Sequence, residues 1–238
     1  MAQFSDTTNN TGIVQQIRQL CRVDSNQWAT SKIVNSCNNY LDFVAGYIIA
    51  KDRRFQWDDS NHTKLPIGTT NLVSGQSDYS FLTDEQNNRI ITLTRIDIED
   101  STGNWKKLDE LDEMAEDKAL DTVVVSGTPT GYYKIADNVI RLNKLPTASV
   151  TAGLKFYFQR TPSYFTATDT TKEPGVPATL HRGFIISGAY DCALTLGLAN
   201  LQPLSTELAR EQQKLEMYAG DRNQDIKKRM SPRRERTD

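Results

Sequence analysis

The chain has 238 residues, with 28 lysines and arginines against 30 aspartates and glutamates, so its formal net charge is −2. This balance gives no general electrostatic reason to bind nucleic acid, and a chain of this length can bury a core without disulfide or metal support. The three cysteines, Cys21, Cys37 and Cys192, have no metal-ligand spacing, so we expect reduced, packed thiols. The sequence shows no secretory signal pattern. Its longest apolar stretch, residues 183–199, is interrupted by Asp191 and falls short of the roughly 20 residues that a membrane span needs.

Two helices are predicted near the start of the sequence. A short helix over about residues 12–22 carries Ile13, Ile17 and Leu20. A longer helix between Ser31 and Lys51 has apolar residues at steps of three and four, which place them on one helix face. Its first stripe is Val34, Cys37, Leu41, Val44 and Ile48, and its second stripe is Ile33, Tyr40, Phe43 and Tyr47. Because the second stripe widens the apolar face, we expect this helix to be covered on more than one side.

Strands are predicted from residue 55 to residue 160. Here short runs of β-branched and aromatic residues alternate with turn residues. The clearest strand covers residues 90–98, and hairpins are predicted around turns at residues 101–104 and 136–138. In the last strand one face carries Leu154, Phe156 and Phe158. Several short strands at this spacing predict a β-sandwich or a small barrel.

An acidic segment interrupts the strands at about residues 108–121. We interpret it as a helix with a solvated face, which is the usual meaning of such a charge run. The alternative is a surface that faces duplex DNA, where negative charge would oppose DNA binding. The candidate residues for such a surface, which would face a channel that DNA passes through, are Asp109, Asp112, Glu113 and Glu116.

Helical character returns after the loop of residues 161–177. Pro177 suits a helix start, and the segment of residues 184–201 is apolar nearly all round, with small residues that allow close helix contact. Asp191 lies within this segment, where an unpaired carboxylate would be costly. We therefore expect Asp191 to be ion-paired, hydrogen-bonded or at a subunit contact.

A final amphipathic helix leads into a basic tail, residues 221–238. The helix is marked by Leu204, Leu208, Leu215 and Tyr218, and Gly220 would either cap it or lie where it frays. The tail has seven basic residues against four acidic ones and almost no apolar surface, so we expect it to be disordered until it meets a partner. Nucleic acid and an acidic protein groove are both candidate partners, and a merely solubilising tail is the third interpretation. The candidate binding residues are Arg222, Lys227, Lys228, Arg229, Met230, Arg233, Arg234 and Arg236.

Catalytic and cofactor motifs are not found in the sequence. The two histidines, His62 and His181, lie in separate segments without metal-ligand spacing, which predicts surface or capping roles. The sequence has no phosphate-binding loop, no dinucleotide-binding glycine pattern and no nucleophile elbow. We therefore expect no enzymatic activity, no cofactor and no metal.

Three stretches of the predicted β region follow one another in a recognisable order. The first is NLVSGQSDYSF at residues 71–81. The second is RIDI at residues 95–98 with GNWKKL at residues 103–108. The third combines GTP at 127–129, YY at 132–133, NVIRL at 138–142 and LP at 145–146. In this order, and with a strand at residues 154–160, the chain resembles the adaptor, or head-to-tail connector, proteins of tailed phages. With the flanking helices, the resemblance covers about residues 13–220.

The resemblance implies an α+β fold with two domains. A helical bundle would be built from residues 1–52 and 176–238, with an antiparallel β-sandwich or small barrel inserted as residues 53–175. The family forms dodecameric rings beneath the portal that continue the DNA channel to the tail, and its C-terminal extension commonly reaches into the portal. The expected partners are thus the portal protein, the next tail or neck component and further copies of the chain, with DNA passing without specific binding.

The expected location is the neck or tail of the virion, after assembly in the host cytoplasm. Another tail or baseplate component is the leading alternative. A carbohydrate-binding module is a further alternative, which exposed aromatic side chains at Trp57, Tyr132 and Tyr133 would favour.

Overall fold

The structure is a computed structural model that describes residues 2–51, 67–84, 87–100, 103–112 and 125–224, with side chains of the last helix described to residue 220. The described residues divide into two compact units: a helical unit drawn from residues 1–53, 165–173 and 177–238, and a β unit drawn from residues 54–164 and 174–176. The helices are α1 (Ile13–Cys21), α2 (Thr30–Lys51), α3 (His181–Leu196) and α4 (Leu201–Gln224). The strands are β1 (Ile67–Leu72), β2 (Asp78–Ser80), β3 (Ile90–Glu99), β4 (Trp105–Lys107), β5 (Asp109–Leu111), β6 (Gly131–Ala136), β7 (Val139–Leu142) and β8 (Val150–Arg160). The fold is therefore α+β, as the sequence predicts.

The first two helices confirm the predicted periodicity, apart from three positions. In α1, Ile13 and Ile17 are buried, whereas Leu20 is exposed. In α2, the first predicted stripe is buried apart from the half-buried Val34. The second stripe is only partly covered, because Phe43 is exposed. The apolar face of α2 is thus widened by Ile33 and Tyr40 but not by the whole second stripe.

A turn divides the long apolar segment of residues 184–201 into two helices. Gly197 adopts a left-handed conformation (φ +64°) and ends α3, so that α4 begins at Leu201. The small residues within α3 do allow close contact: a Cβ atom on Gly188 would collide with the side chain of Ile17 of α1. The helix α4 continues through Gly220 to Gln224, so Gly220 does not cap it.

The N-terminal segment is part of the core of the helical unit. The Phe4 side chain is fully buried and stacks on Phe165, with ring centroids 4.8 Å apart. The Phe4 N–H donates to the Lys172 carbonyl at 2.7 Å, which fixes the backbone of this segment. The Ala2 N–H donates to Nδ1 of His181 at 3.3 Å. His181 begins α3 as predicted, but it is buried and accepts this bond, so the surface role expected for it is wrong.

The β unit contains two four-stranded sheets. The first has the order β1-β8-β3-β4, and each neighbouring pair is antiparallel. The second has the order β2-β7-β6-β5. Both predicted hairpins are found: β3 pairs with β4 across the turn at Gly103, and β6 pairs with β7 across residues 137–138.

The second sheet is mixed rather than antiparallel, because β5 pairs with β6 in parallel. Residues 112–130 lie between these strands, and parallel neighbours need a connection of about a dozen residues or more. The strand pattern alone does not specify the direction of pairing.

Both sheets contribute side chains to one apolar core of the β unit. Leu93, Ile96 and Phe156 come from the first sheet, and Tyr132 and Ile140 come from the second. The predicted alternation along β8 is confirmed, since Leu154, Phe156 and Phe158 are all buried in this core. Two sheets that share one core are expected of a sandwich-like arrangement.

Residues 109–111 correct the prediction of an acidic helix over residues 108–121. Leu108 is buried, and its N–H donates to the Ile96 carbonyl at 2.9 Å. The Asp109 N–H donates to the Thr130 carbonyl at 3.2 Å, which holds the backbone extended as β5. Charge density alone cannot distinguish an exposed helix face from an exposed edge strand. Residues 113–121 lie outside the described residues.

Candidate interaction surfaces

An acidic edge of the β unit is formed by Asp109, Glu110 and Asp112. All three are exposed, and the first two belong to β5, the last strand in the order of the second sheet. Of the four predicted channel-facing residues, the structure therefore places Asp109 and Asp112 together at the surface. Glu113 and Glu116 lie outside the described residues.

A shallow groove of about 430 Å³ runs along this acidic edge and is lined by Glu110, Leu111, Asp112 and Lys134. Lys134 also donates to Thr92 Oγ1 at 3.1 Å. Burial raises the pKa of Tyr132 to about 12, and the charge of Glu110 and its hydrogen bond with the Tyr132 hydroxyl act in the same direction. This hydroxyl therefore remains a donor at neutral pH, and the groove has two carboxylates against one ammonium group.

The two adjacent tyrosines of the β unit do not supply the exposed aromatic surface that a carbohydrate-binding module would need. Tyr132 and Tyr133 are both buried, so the expectation that they are exposed is wrong. They belong to β6, which has β5 on one side and β7 on the other. Trp57 lies outside the described residues.

The helix α4 leads directly into the basic tail. Its backbone is helical to Gln224, so Arg222 lies in the last turn of α4 and the helix includes the first four tail residues. The remaining candidate binding residues of the tail, from Lys227 to Arg236, lie outside the described residues. Just before the tail, the Met217 side chain is 66% exposed.

The face of α4 that packs on the helical unit contains a buried carboxylate that the sequence analysis did not single out. Glu211 is 2% exposed, and its Oε1 accepts from Lys214 Nζ at 2.7 Å. Arg182 Nε lies 3.6 Å from the same oxygen, whereas Glu211 Oε2 is buried and has no hydrogen-bond partner among the described residues. The signal was present in the sequence, since Glu211 lies seven residues after Leu204 and four before Leu215, on the apolar stripe.

A tyrosine of α2 is coupled electrostatically to this carboxylate. Burial raises the pKa of Tyr40 to about 12, and the negative charge of Glu211 adds to the shift. Gly183 leaves room for the Tyr40 hydroxyl, because a Cβ atom there would collide with it. The helices α2, α3 and α4 thus pack together around the buried Glu211 carboxylate, with Tyr40 contributed by α2 and Gly183 by α3.

Asp191 is half-buried on α3. Its charge lies close enough to Cys37 to contribute, after burial, to raising the pKa of that thiol to about 12. The expectation that Asp191 is paired or lies at a subunit contact stays a prediction.

Within the described ranges, no group of three histidine, cysteine, aspartate or glutamate side chains is placed to hold a metal ion. His181 lies in the helical unit with the N-terminal segment, and His62 is outside the described residues. Over the same ranges, no helix is both long enough and apolar enough to cross a membrane.

Comparisons with known proteins identify one family. The family model described as SU10 adaptor protein matches residues 9–236. The matched range includes the described residues of the β unit, nearly all of those of the helical unit and almost all of the basic tail. The comparison with curated proteins finds no match.

Proposed function

Because the chain belongs to the SU10 adaptor protein family, we propose that it is a structural virion protein of a tailed phage, a head-to-tail adaptor that forms a ring beneath the portal and extends the DNA channel to the tail. The observation that carries the proposal is the extent of the family match, residues 9–236. Because the match covers nearly the whole chain, it reflects more than one small domain shared with otherwise different proteins. The role is structural rather than catalytic.

The helical unit supports this role, because it is built from both ends of the sequence. The segment containing Phe4 packs against Phe165, and α1 packs against α3, so the helical unit holds together although the β unit separates its parts in sequence. A body of this kind can carry a terminal extension without depending on it for folding. The extension is the basic tail, which the family match includes almost completely.

The helix α4 supplies the reach that such an extension requires. With 24 residues and a rise of about 1.5 Å per residue, the helix is about 36 Å long. Its buried stripe of Leu204, Leu215 and Ala219 fixes it on the helical unit, while the exposed Met217 lies outside that stripe. The tail would therefore start from a fixed point and bind the portal protein beyond it.

The portal is the proposed partner of the tail because of the tail's seven basic side chains. Arginine forms forked hydrogen bonds with carboxylates, so an acidic groove on the portal is the surface that would order Arg229, Arg233 and Arg234. Twelve copies in a ring would multiply a modest affinity for each tail. The acidic edge of the β unit would face the channel or solvent, where its charge opposes binding of passing DNA.

A matched pair of triple variants tests the role of the tail. Full-length protein carrying Arg229→Gln, Arg233→Gln and Arg234→Gln is mixed with purified portal protein, and the fraction bound is measured by co-sedimentation. The control is a second triple variant with the same loss of charge at exposed positions outside the tail, namely Lys51→Gln, Lys107→Gln and Arg210→Gln. We expect the tail variant to bind at least about tenfold more weakly than the control, because it loses charged hydrogen bonds made in every copy.

The same experiment separates the portal from DNA as the partner of the tail. Binding to DNA would fall steeply with salt concentration and would not require the portal. Equal portal binding by the two triple variants would contradict the proposal and leave the tail as a solubilising segment. Binding of the wild-type chain to DNA fragments as tightly as to the portal would contradict it as well.

A further inference from the structure

We propose that Cys21 and Cys192 form a reversible disulfide under oxidising conditions, which would link α1 covalently to α3 within the helical unit. Cys21 is the last residue of α1, and Cys192 lies in α3. Both are free thiols in the structure, and both are buried. The inference does not depend on the adaptor role, because it rests on the packing of the helical unit alone.

The contact between α1 and α3 brings the two sulfur atoms together. Cys21 Sγ donates to the Ala189 carbonyl at 3.3 Å, and Ala189 lies three residues before Cys192, which is about one helical turn. The two thiols are also close enough for each to perturb the pKa of the other. One turn earlier, Gly188 lets Ile17 approach the backbone of α3 closely. The helices are therefore already close together where a disulfide would form.

The chemical state of the pair explains how it can stay reduced until an oxidant acts. Burial raises the pKa of Cys21 to about 12, and burial also raises the pKa of Cys192, although the hydrogen bond from Cys21 acts against that shift. A thiol attacks only as its thiolate, so the folded pair reacts slowly at neutral pH. Small thiols of a cytoplasm keep such a pair reduced, whereas an extracellular medium allows oxidation.

The oxidation is balanced by a small disulfide as the oxidant. One cysteine loses its proton and attacks the small disulfide, releasing one small thiol and leaving a mixed disulfide. The second cysteine then loses its proton and displaces the other small thiol, which forms the Sγ–Sγ bond. Two protons and two electrons thus pass from the cysteine pair to the small disulfide, which leaves as two thiols.

The position of the bond gives it a structural consequence. All residues of the β unit lie between Cys21 and Cys192 in sequence. A disulfide between them closes a long loop of the chain. The longer the closed loop, the more conformational entropy the unfolded state loses, so the folded state is stabilised more. The disulfide would join the N-terminal and C-terminal parts of the helical unit directly.

Cys37 is a matched control within the same chain. It lies on α2 and is fully buried, and its pKa is raised to about 12 by burial and by the charge of Asp191. It is thus buried like the other two thiols, but among the described contacts none joins its thiol to Cys21 or Cys192. A Cys37→Ser variant should leave the proposed pair intact.

The test oxidises the full-length chain with oxidised glutathione and maps its peptides without reduction. We expect an intact mass lower by about 2 Da and a linked peptide pair containing Cys21 and Cys192, in both the wild type and Cys37→Ser. The thermal midpoint of the helical unit should rise by roughly 5–15 °C and return to its starting value after reduction. Cys21→Ser should abolish the linked peptide.

Several outcomes would overturn the proposal. These are full retention of three thiols after prolonged oxidation, glutathione adducts without the internal bond, linkage through Cys37, or a lower thermal midpoint in the linked protein. Because the peptide mapping uses the wild-type chain, a folding defect in Cys21→Ser would not leave the question undecided.

Discussion

Replacing Phe4 with alanine tests how the N-terminal segment contributes to the helical unit. The Phe4 side chain is fully buried and stacks on Phe165 at 4.8 Å. Truncating a buried phenylalanine to alanine costs about 3–5 kcal/mol, and losing an aromatic pair accounts for about 0.5–1.5 kcal/mol beyond the buried area. Since a whole domain is stable by only about 5–15 kcal/mol, the variant should lose a large part of the stability of its helical unit. At roughly 2–4 °C per kcal/mol for a chain of this size, the thermal midpoint should fall by roughly 6–20 °C.

The assay must report on the helical unit separately from the β unit. Hydrogen exchange followed by mass spectrometry does this, because peptides from α1 and α3 belong to the first and peptides from β3 and β8 to the second. We expect Phe4→Ala to increase exchange in α1 and α3. The matched control is Phe43→Ala, which removes the same ring from an exposed position on α2 and should cost less than about 1 kcal/mol.

Equal effects of Phe4→Ala and Phe43→Ala would refute the reasoning. So would a Phe4→Ala variant whose α1 and α3 peptides exchange at wild-type rates. Either result would mean that the N-terminal segment rests on the helical unit without stabilising it.

Three further changes have expected outcomes. Gly188→Val places a branched side chain against α1 and should destabilise the helical unit by about 1–3 kcal/mol in urea unfolding; wild-type stability would show that the helices separate easily. Asp84→Asn removes the charge facing Arg160 in a buried ion pair at 3.3 Å and should destabilise the β unit by about 3 kcal/mol, as measured by exchange in β8; an unchanged rate would contradict this. The pKa of Asp6 is lowered from 3.8 to about 2, chiefly by the hydrogen bond from the Asn9 backbone. The stability that the ionised Asp6 carboxylate contributes is therefore present above about pH 4 and is lost as the pH falls towards 2. The difference in thermal midpoint between the wild type and Asp6→Asn should therefore shrink over that interval, and a difference that is constant with pH would contradict the assignment.

The helices could be predicted from the sequence because each buries one face with a regular period. In α2, Cys37, Leu41, Val44 and Ile48 are all buried, as their spacing indicates. The separate final helix was predicted from its own apolar stripe, but the position of the turn before it was not, because apolar residues continue from α3 to Leu201 and only the left-handed conformation of Gly197 ends α3. Composition does not reveal such a turn when both flanking helices are apolar at that point.

The acidic strand could not be recognised from the sequence, because its structure depends on distant partners. Asp109 and Glu110 are exposed in a strand that pairs with β6, about twenty residues further on. Nothing in the local pattern of charges specifies this pairing. Tyr132 and Tyr133 were expected at the surface for the same reason, since their burial depends on how the second sheet packs and not on their neighbours in sequence.

The mass of the complex with the portal tests the central proposal most directly. Purified full-length chain is mixed with purified portal rings, and the assembly is measured by native mass spectrometry and imaged in negative stain. We predict an added mass of twelve times the 26.9 kDa of one chain, together with a second ring stacked coaxially on the portal. Portal rings that gain no mass, alongside a chain that remains monomeric, would contradict the proposal that this protein is a head-to-tail adaptor.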